Sequence, residues 1–232
     1  SAAPPAESVA AVTPPAQAAP RVEAPEPHPV NPPTELGRFV ATRTPCAQPG
    51  YAPRGLFSGP VFVVRDADGV ADQVATRLSA FGVEARAVDS VDEGGAQVAR
   101  IIDLSSLSVA NSDEEAIAMQ REIFETVRVV ARSTEANRLF IAVTDRDAEA
   151  THGAWKGGIA GLLRTLSLEV PEVASRFVSI ARSSRDAAAL AEAIAAEVLT
   201  GGVDADIDLD ESLVRTAPGF AEARAAKRED LS

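Results

Sequence analysis

Residues that carry chemistry are scarce in this sequence. Among 232 residues there is one cysteine, one tyrosine, one tryptophan, one methionine and two histidines. The single thiol, Cys46, cannot form an internal disulfide, and together with His28 and His152 it falls short of the ligand set of a usual zinc site. Positive charge is also in deficit. The 22 basic and 34 acidic side chains leave a formal charge of −12, which argues against a nucleic-acid groove or an anionic membrane surface as partner. No apolar run approaches the roughly 18 residues of a membrane span. No signal-peptide pattern is present either, so the expected location is cytoplasmic. An initiator methionine is missing, the chain opening at Ser1 with its one methionine at Met119. It reads as a piece of something longer.

Proline is plentiful but unevenly placed: ten of the sixteen fall between Pro4 and Pro33, among alanine, valine and glutamate. Proline fixes φ and removes a donor, and alanine offers little apolar area, so residues 1–33 cannot offset the entropy of ordering themselves. This stretch is expected to be a flexible, partly polyproline-II tether between domains.

Residues 34–220 follow a different grammar, short apolar runs alternating with helical periods. Strands are expected at Arg38–Thr42, Val61–Val64, Val83–Val88, Arg100–Leu104, Leu139–Val143 and Arg176–Ile180, with short closing strands at Ile207–Leu209 and Leu213–Arg215. Four prolines mark Pro45–Pro60 as a loop. One helix, from about Gly69 to Phe81, carries Val70, Val74, Leu78 and Phe81 on one face and stops at Gly82. A second, from Ser112 to Arg132, shows Ile117, Ile123, Phe124, Val127 and Val130. Ser112 and Glu115 are spaced as a capping box. The third runs from about Ala154 to Glu169 and stops before Pro171. The fourth, Asp186–Leu199, is rich in alanine. Strand–helix alternation implies parallel pairing, hence an α/β, Rossmann-like sheet with helices on both faces. The charged segment 221–232 reads as a linker toward a further domain.

In such a sheet the first strand–turn–helix is the place for a nucleotide, because glycines let the pyrophosphate approach and the helix start supplies donors. Here the turn is Arg65-Asp66-Ala67-Asp68-Gly69-Val70-Ala71. A short-chain dehydrogenase pattern would place glycines at 65, 69 and 71, and only Gly69 is present. Arg65 would crowd the turn, and Asp66 and Asp68 would repel phosphate, so no cofactor is expected in this chain.

The second place to look is His152-Gly-Ala-Trp-Lys156 and the apolar run after it, which matches the Y-x-x-x-K helix of short-chain dehydrogenases except that histidine stands in the tyrosine's place. A tyrosine general acid there has its pKa lowered by a lysine one turn on. The only tyrosine, Tyr51, lies in the proline-rich loop with Gly55 four residues on. His152 could move a proton in principle, but an inherited scaffold explains the pattern with fewer assumptions. Trp155 most simply packs under a neighbouring loop. Asp103-Leu104-Ser105 and Asp210-Glu211-Ser212-Leu213 faintly resemble the carrier-protein Asp-Ser-Leu. They fall at strands rather than at the start of a helix, and are read as sheet-edge residues. No catalytic, cofactor-binding or metal-binding residue is therefore assigned.

The segment from Gly157 to Glu172, followed by Phe177–Ile180, Asp186–Leu199 and a short strand pair, resembles the structural subdomain of a type I polyketide synthase ketoreductase. Its glycine-rich start looks closest to the iterative and polyunsaturated-fatty-acid-synthase branch. The resemblance covers about Leu36 to Phe220. It implies a truncated Rossmann half that holds no cofactor and braces a catalytic half. That second half, expected after Ser232 in the same chain, would hold NADPH and the Ser-Tyr-Lys-Asn machinery, with carrier domains possible upstream. Two alternatives stay open: a stand-alone interaction scaffold of degenerate short-chain dehydrogenase fold, and a divergent reductase using His152 and Lys156.

Overall fold

The computed structural model describes residues 39–91, 98–108, 110–146, 150–183 and 185–222. The expected tether 1–33 lies outside these residues, as do positions 223–232 of the expected linker 221–232 and the side chains of 150–156; Ala221 and Glu222 belong to the last strand instead. Among the described residues eight strands and four α-helices follow in order: β1 (Phe39–Pro45), β2 (Val61–Val64), α1 (Val70–Ala80), β3 (Ala85–Val88), β4 (Arg100–Asp103), α2 (Asp113–Arg132), β5 (Arg138–Asp145), α3 (Ala150–Glu169), β6 (Val173–Ile180), α4 (Ala187–Thr200), β7 (Asp206–Leu209) and β8 (Arg215–Glu222).

All eight strands join one sheet in the order β1-β8-β7-β6-β5-β4-β2-β3. From β3 to β7 every neighbour is parallel, and β8 is antiparallel to both β7 and β1. Ranked by their place in the chain, the six parallel strands read 2-1-3-4-5-6 from β3, the flavodoxin-like doubly-wound order 2-1-3-4-5 with one further strand. The expected α/β, Rossmann-like sheet is what forms.

Alternation along each strand divides the core between the two faces. Val61 and Val63 join Val74 and Leu78 of α1 and Leu190 and Ile194 of α4. Phe62 and Val64 point the other way, to Ile123 and Val127 of α2 and Ile159 and Leu163 of α3. A strand buried on both faces has to be apolar throughout, which is why β2 reads as four consecutive hydrophobics.

Several expectations are corrected by this packing. Phe81, placed on the buried face of α1, is the residue that ends the helix and is exposed; so are Ile117 and Phe124 of α2, outside the stripe Ile123, Val127 and Val130 that meets the sheet. The Ser112 hydroxyl caps Glu115 N–H at 3.2 Å, but the Glu115 carboxylate takes Asn111 N–H at 2.7 Å instead of closing the box on Ser112. Helix α3 starts at Ala150 rather than near 154. The closing strand expected at Leu213–Arg215 begins only at Arg215 and runs on to Glu222, because β1 pairs along its whole length. Leu213 instead lies in the turn, with φ 61°.

One buried polar cluster fixes where β8 lies. Glu197 of α4 is 1% exposed and accepts from Arg176 Nη2 of β6 at 2.5 Å and from Arg215 Nε of β8 at 3.2 Å. Arg215 also reaches Asp204 at 2.8 Å, the Gly201 carbonyl at 2.9 Å and Cys46 Sγ at 3.0 Å. Burial pulls the Arg176 guanidinium down from its ordinary range, with Glu197 opposing. For Arg215 burial acts the same way, but Asp204 and Glu197 outweigh it and the net shift is upward. Gly201 leaves room for the carboxylate: a Cβ there would lie 2.1 Å from Glu197 Oε1.

Removing one member of a buried, hydrogen-bonded ion cluster strands the others, at a cost of about 3–5 kcal/mol. Glu197→Ala is expected to lower the melting temperature by about 6–20 °C, measured by thermal denaturation. Gly201→Ala should act in the same direction by displacing the carboxylate. A shift of only a degree or two for Glu197→Ala would show that the cluster does not hold the fold.

Candidate functional site

Strand order reverses between β2 and β4, since β3 lies on one side of β2 and β4 on the other. In open α/β sheets ligands bind outside the carboxyl ends of the strands at this point. A cleft of about 760 Å³ opens there, with Arg65 after β2, Asp89 after β3, Asp103 at the end of β4, and Arg121, Glu122 and Glu125 of α2 among its walls.

The β2–α1 turn adjoins the cleft, and the chain's own side chains engage its donors. Asp66 accepts from Asp68 N–H at 2.9 Å through one carboxylate oxygen and from Ala71 N–H at 2.9 Å through the other. Ala67 N–H donates to Ser108 Oγ at 3.1 Å. Asp68 in turn pairs with Arg182 at 2.7 Å. A helix start with its unpaired N–H groups attracts an anion; here the anion is Asp66. Gly69 keeps its φ of 75° at the start of the helix, the left-handed region in which glycine carries no Cβ penalty.

Arg65 is equally committed. Its guanidinium bonds Asp72 of α1 at 3.1 Å and Asp89 at 2.9 Å, and these two carboxylates raise its pKa further. The side chain therefore bridges β2, α1 and the end of β3 across the mouth of the turn. A dinucleotide's phosphates would meet two aspartates and an already paired arginine, so the residues at this turn do not fit that group.

Asp103 is placed at a sheet edge by the sequence, but not by the structure. It ends an interior strand and is 1% exposed. Its Oδ1 accepts from Ser105 Oγ at 2.6 Å and Ser105 N–H at 3.0 Å, which fixes the short turn Ser105–Leu107. Burial pushes this carboxyl above the ordinary carboxylate range; the Ser105 bonds pull it back and Glu122 adds to the rise. The sequence signal was a lone acid closing an apolar strand, Ile101-Ile102-Asp103.

The other sequence candidates do not converge on this cleft. Tyr51 is exposed, and its backbone pairs with Gly201 at the end of α4, where the parallel strands begin. It is thus at the opposite end of the sheet from Asp103. His152 and Lys156 fall in the first two turns of α3, and their side chains lie outside the described residues. The Asp210 segment is a turn, its carboxylate accepting from Ser212 N–H at 2.8 Å. Among the described residues no group of acidic, histidine and cysteine side chains is arranged for a metal, and no helix is long and apolar enough to cross a membrane.

Comparison with solved structures gives a likeness of fold. The first ketoreductase of the tylosin PKS superposes with a TM-score of 0.54 at 14% identity, over 82% of this chain and 42% of that chain. An adenylation, ketoreductase and pseudo-Asub multidomain structure of a keto acid-selecting NRPS module gives 0.58 at 14% identity, over 80% of this chain and 18% of that chain. This chain spans less than half the length of either. No protein-family model matches the sequence, and no curated protein does.

The raised Asp103 carboxyl makes a pH prediction. A folded-state pKa above the unfolded value of about 3.9 means the folded chain binds the proton more tightly, so this contribution to stability is full at low pH and is lost as pH rises through the folded pKa. Asp103→Asn keeps an oxygen for Ser105 and removes the titration. The melting temperature of the variant relative to the parent should therefore rise as pH increases above about 4, and level off once the folded carboxyl has ionised. A difference independent of pH would mean that the carboxyl titrates as an exposed one.

Proposed function

We propose that this chain is a non-catalytic structural subdomain that braces the NADPH-dependent catalytic half of a β-ketoreductase in a polyketide or polyunsaturated-fatty-acid megasynthase. The observation that carries the reading is the filled β2–α1 turn, where Asp66 holds the N–H groups of Asp68 and Ala71. A Rossmann-like half in this state keeps the fold and gives up the cofactor seat. Its likeness to part of a PKS ketoreductase, over 42% of that longer chain, supports a place beside a second half. On this reading residues 1–33 are a tether from upstream carrier domains, residues 34–222 the brace, and 223–232 the link to the half that holds NADPH.

Three measurements test it. Titration of NADPH or NADH, followed by calorimetry or by Trp155 fluorescence, should give no saturable signal below millimolar. Lengthening the chain through the next ~250 residues, one further domain, should raise the melting temperature and bring ketone reduction with it. Lys156→Ala in that longer protein should leave turnover nearly intact, since exchanging one helix residue for alanine changes stability by at most a few tenths of a kcal/mol. Micromolar nicotinamide binding by the short chain, or a large loss of turnover with Lys156→Ala, would favour a divergent reductase using His152 and Lys156. A short form that melts as high as the long one and stays monomeric would favour a free-standing scaffold.

A further inference from the structure

We propose that the β1–β8 ribbon, with Phe39 and Phe220 toward its tip, is the surface on which the catalytic half docks; this rests on the bracing reading above. β8 pairs with β7 only at Asp208↔Thr216 and Leu209↔Arg215. β1 follows β8 much further, from Pro45↔Thr216 out to Phe39↔Glu222. Past Thr216 no further ladder pair joins β8 to β7, and beyond Ala217, which packs on the core, and Arg43, which holds Asp206, the two strands run on as a ribbon. A two-stranded ribbon is marginal in water unless something covers an apolar face.

Register decides which side chains share a face. Cross-strand partners and alternate residues point the same way. Phe39, Phe220 (opposite Ala41) and Arg43 thus lie on one side of the ribbon. Arg43 donates to Asp206 at 2.9 Å, and Arg164 of α3 pairs with the other oxygen of the same carboxylate, so this is the α3 side of the sheet. One turn beyond Arg164 stands Leu168. Leu168 is 82% exposed, Phe220 79% and Phe39 65%. Three large apolar side chains thus face solvent on one side, at the end where the parallel strands begin. Single exposed hydrophobics are ordinary, but a group of this kind marks an interaction surface.

Chain geometry selects the occupant. The pair Phe39↔Glu222 brings the entering and leaving chain together at this tip. Ten residues remain from there to Ser232, a reach of at most about 35 Å when fully extended. A domain joined through them is held beside the ribbon at high effective concentration. Phe57 and Phe81 are also exposed, but they flank a groove between α1 and α4 on the opposite face. The partner is accordingly an apolar face of the domain that follows, of intrachain-interface size, about 600–1,500 Å².

The test uses the lengthened chain and the 232-residue form side by side, each with Phe39→Ser/Phe220→Ser and with Phe39→Leu/Phe220→Leu. In the long protein the serine pair should lower the melting temperature by about 5 °C or more and reduce ketone reduction at least about tenfold, and the leucine pair should restore most of both. In the short form the serine pair should move the melt by no more than a degree or two and reduce binding of a hydrophobic dye, because both rings are already in water. If lengthening raises the melt but the serine pair leaves the long protein unchanged, the ribbon is not the docking face and the bracing reading stands alone. If lengthening raises nothing, the bracing reading and this surface fail together. A concentration-dependent dimer of the short form that the serine pair abolishes would assign the ribbon to a second copy of this chain and overturn the proposal.

Discussion

Glu197 is the constraint on which the far side of the sheet depends. A carboxylate and two guanidiniums have been taken out of water at a point where α4, β6 and β8 meet, and each charge is tolerable only because the others are there. Arg176 and Arg215 cannot shed their protons, so neither can neutralise itself when left alone. The cluster therefore specifies one position for β8, with Arg215 inward and the rest of the strand free to run on past β7. Cys46, just after β1, accepts from the same arginine. Edge strands usually drift because little holds their register; this one is held at its root by charge, which is what lets the β1–β8 ribbon project.

At the other end of the sheet the same kind of chemistry closes a site. A Rossmann-like turn has a standing surplus of backbone donors, and leaving them bare in a partly buried corner is costly. A phosphate is one way to satisfy them, and a carboxylate from the turn itself is another. Asp66 takes the second course, Arg65 locks the turn to Asp72 and Asp89, and Arg182 ties Asp68 across to the segment after β6. The corner is stable without a ligand. The N–H groups of Ala67, Asp68 and Ala71 are each held by a side chain of this protein.

How much of this could be read from the sequence follows a physical divide. Val61–Val64 was legible as a doubly buried strand because only an unbroken apolar run survives between two helical layers. The α1 stripe Val70, Val74 and Leu78 was legible for its period, and the degraded turn for the identities of Arg65, Asp66 and Asp68. Phe81, Ile117 and Phe124 misled, since periodicity reports a possible face and cannot say whether anything covers it. Asp103 was misplaced because strand order, which puts β4 between β2 and β5, is a property of pairing and not of local pattern. Glu197 was invisible for the same reason. In an alanine-rich helix Glu197, like Glu192 before it, reads as solvated, and its two arginine partners sit 18 and 21 residues away in the sequence. β8 was cut short because Thr216–Glu222 has weak strand character of its own, with Pro218 and Gly219 inside it. Its partner β1 supplies the missing half.

These two polar devices are also separate from the hydrophobic core. The hydrophobic core lies in two layers, one under α1 and α4 and one under α2 and α3, and neither needs a ligand at the switch point to be complete. The ion cluster at Glu197 lies at the opposite end of the sheet from the turn. Substitutions that fill the turn therefore act locally, and independent sites of this kind contribute to stability almost additively. The scaffold's packing thus does not depend on the chemistry at the turn. What it cannot give up is Glu197. Without that carboxylate the root of β8 carries unpaired buried charge, and the ribbon that continues from it has no fixed direction.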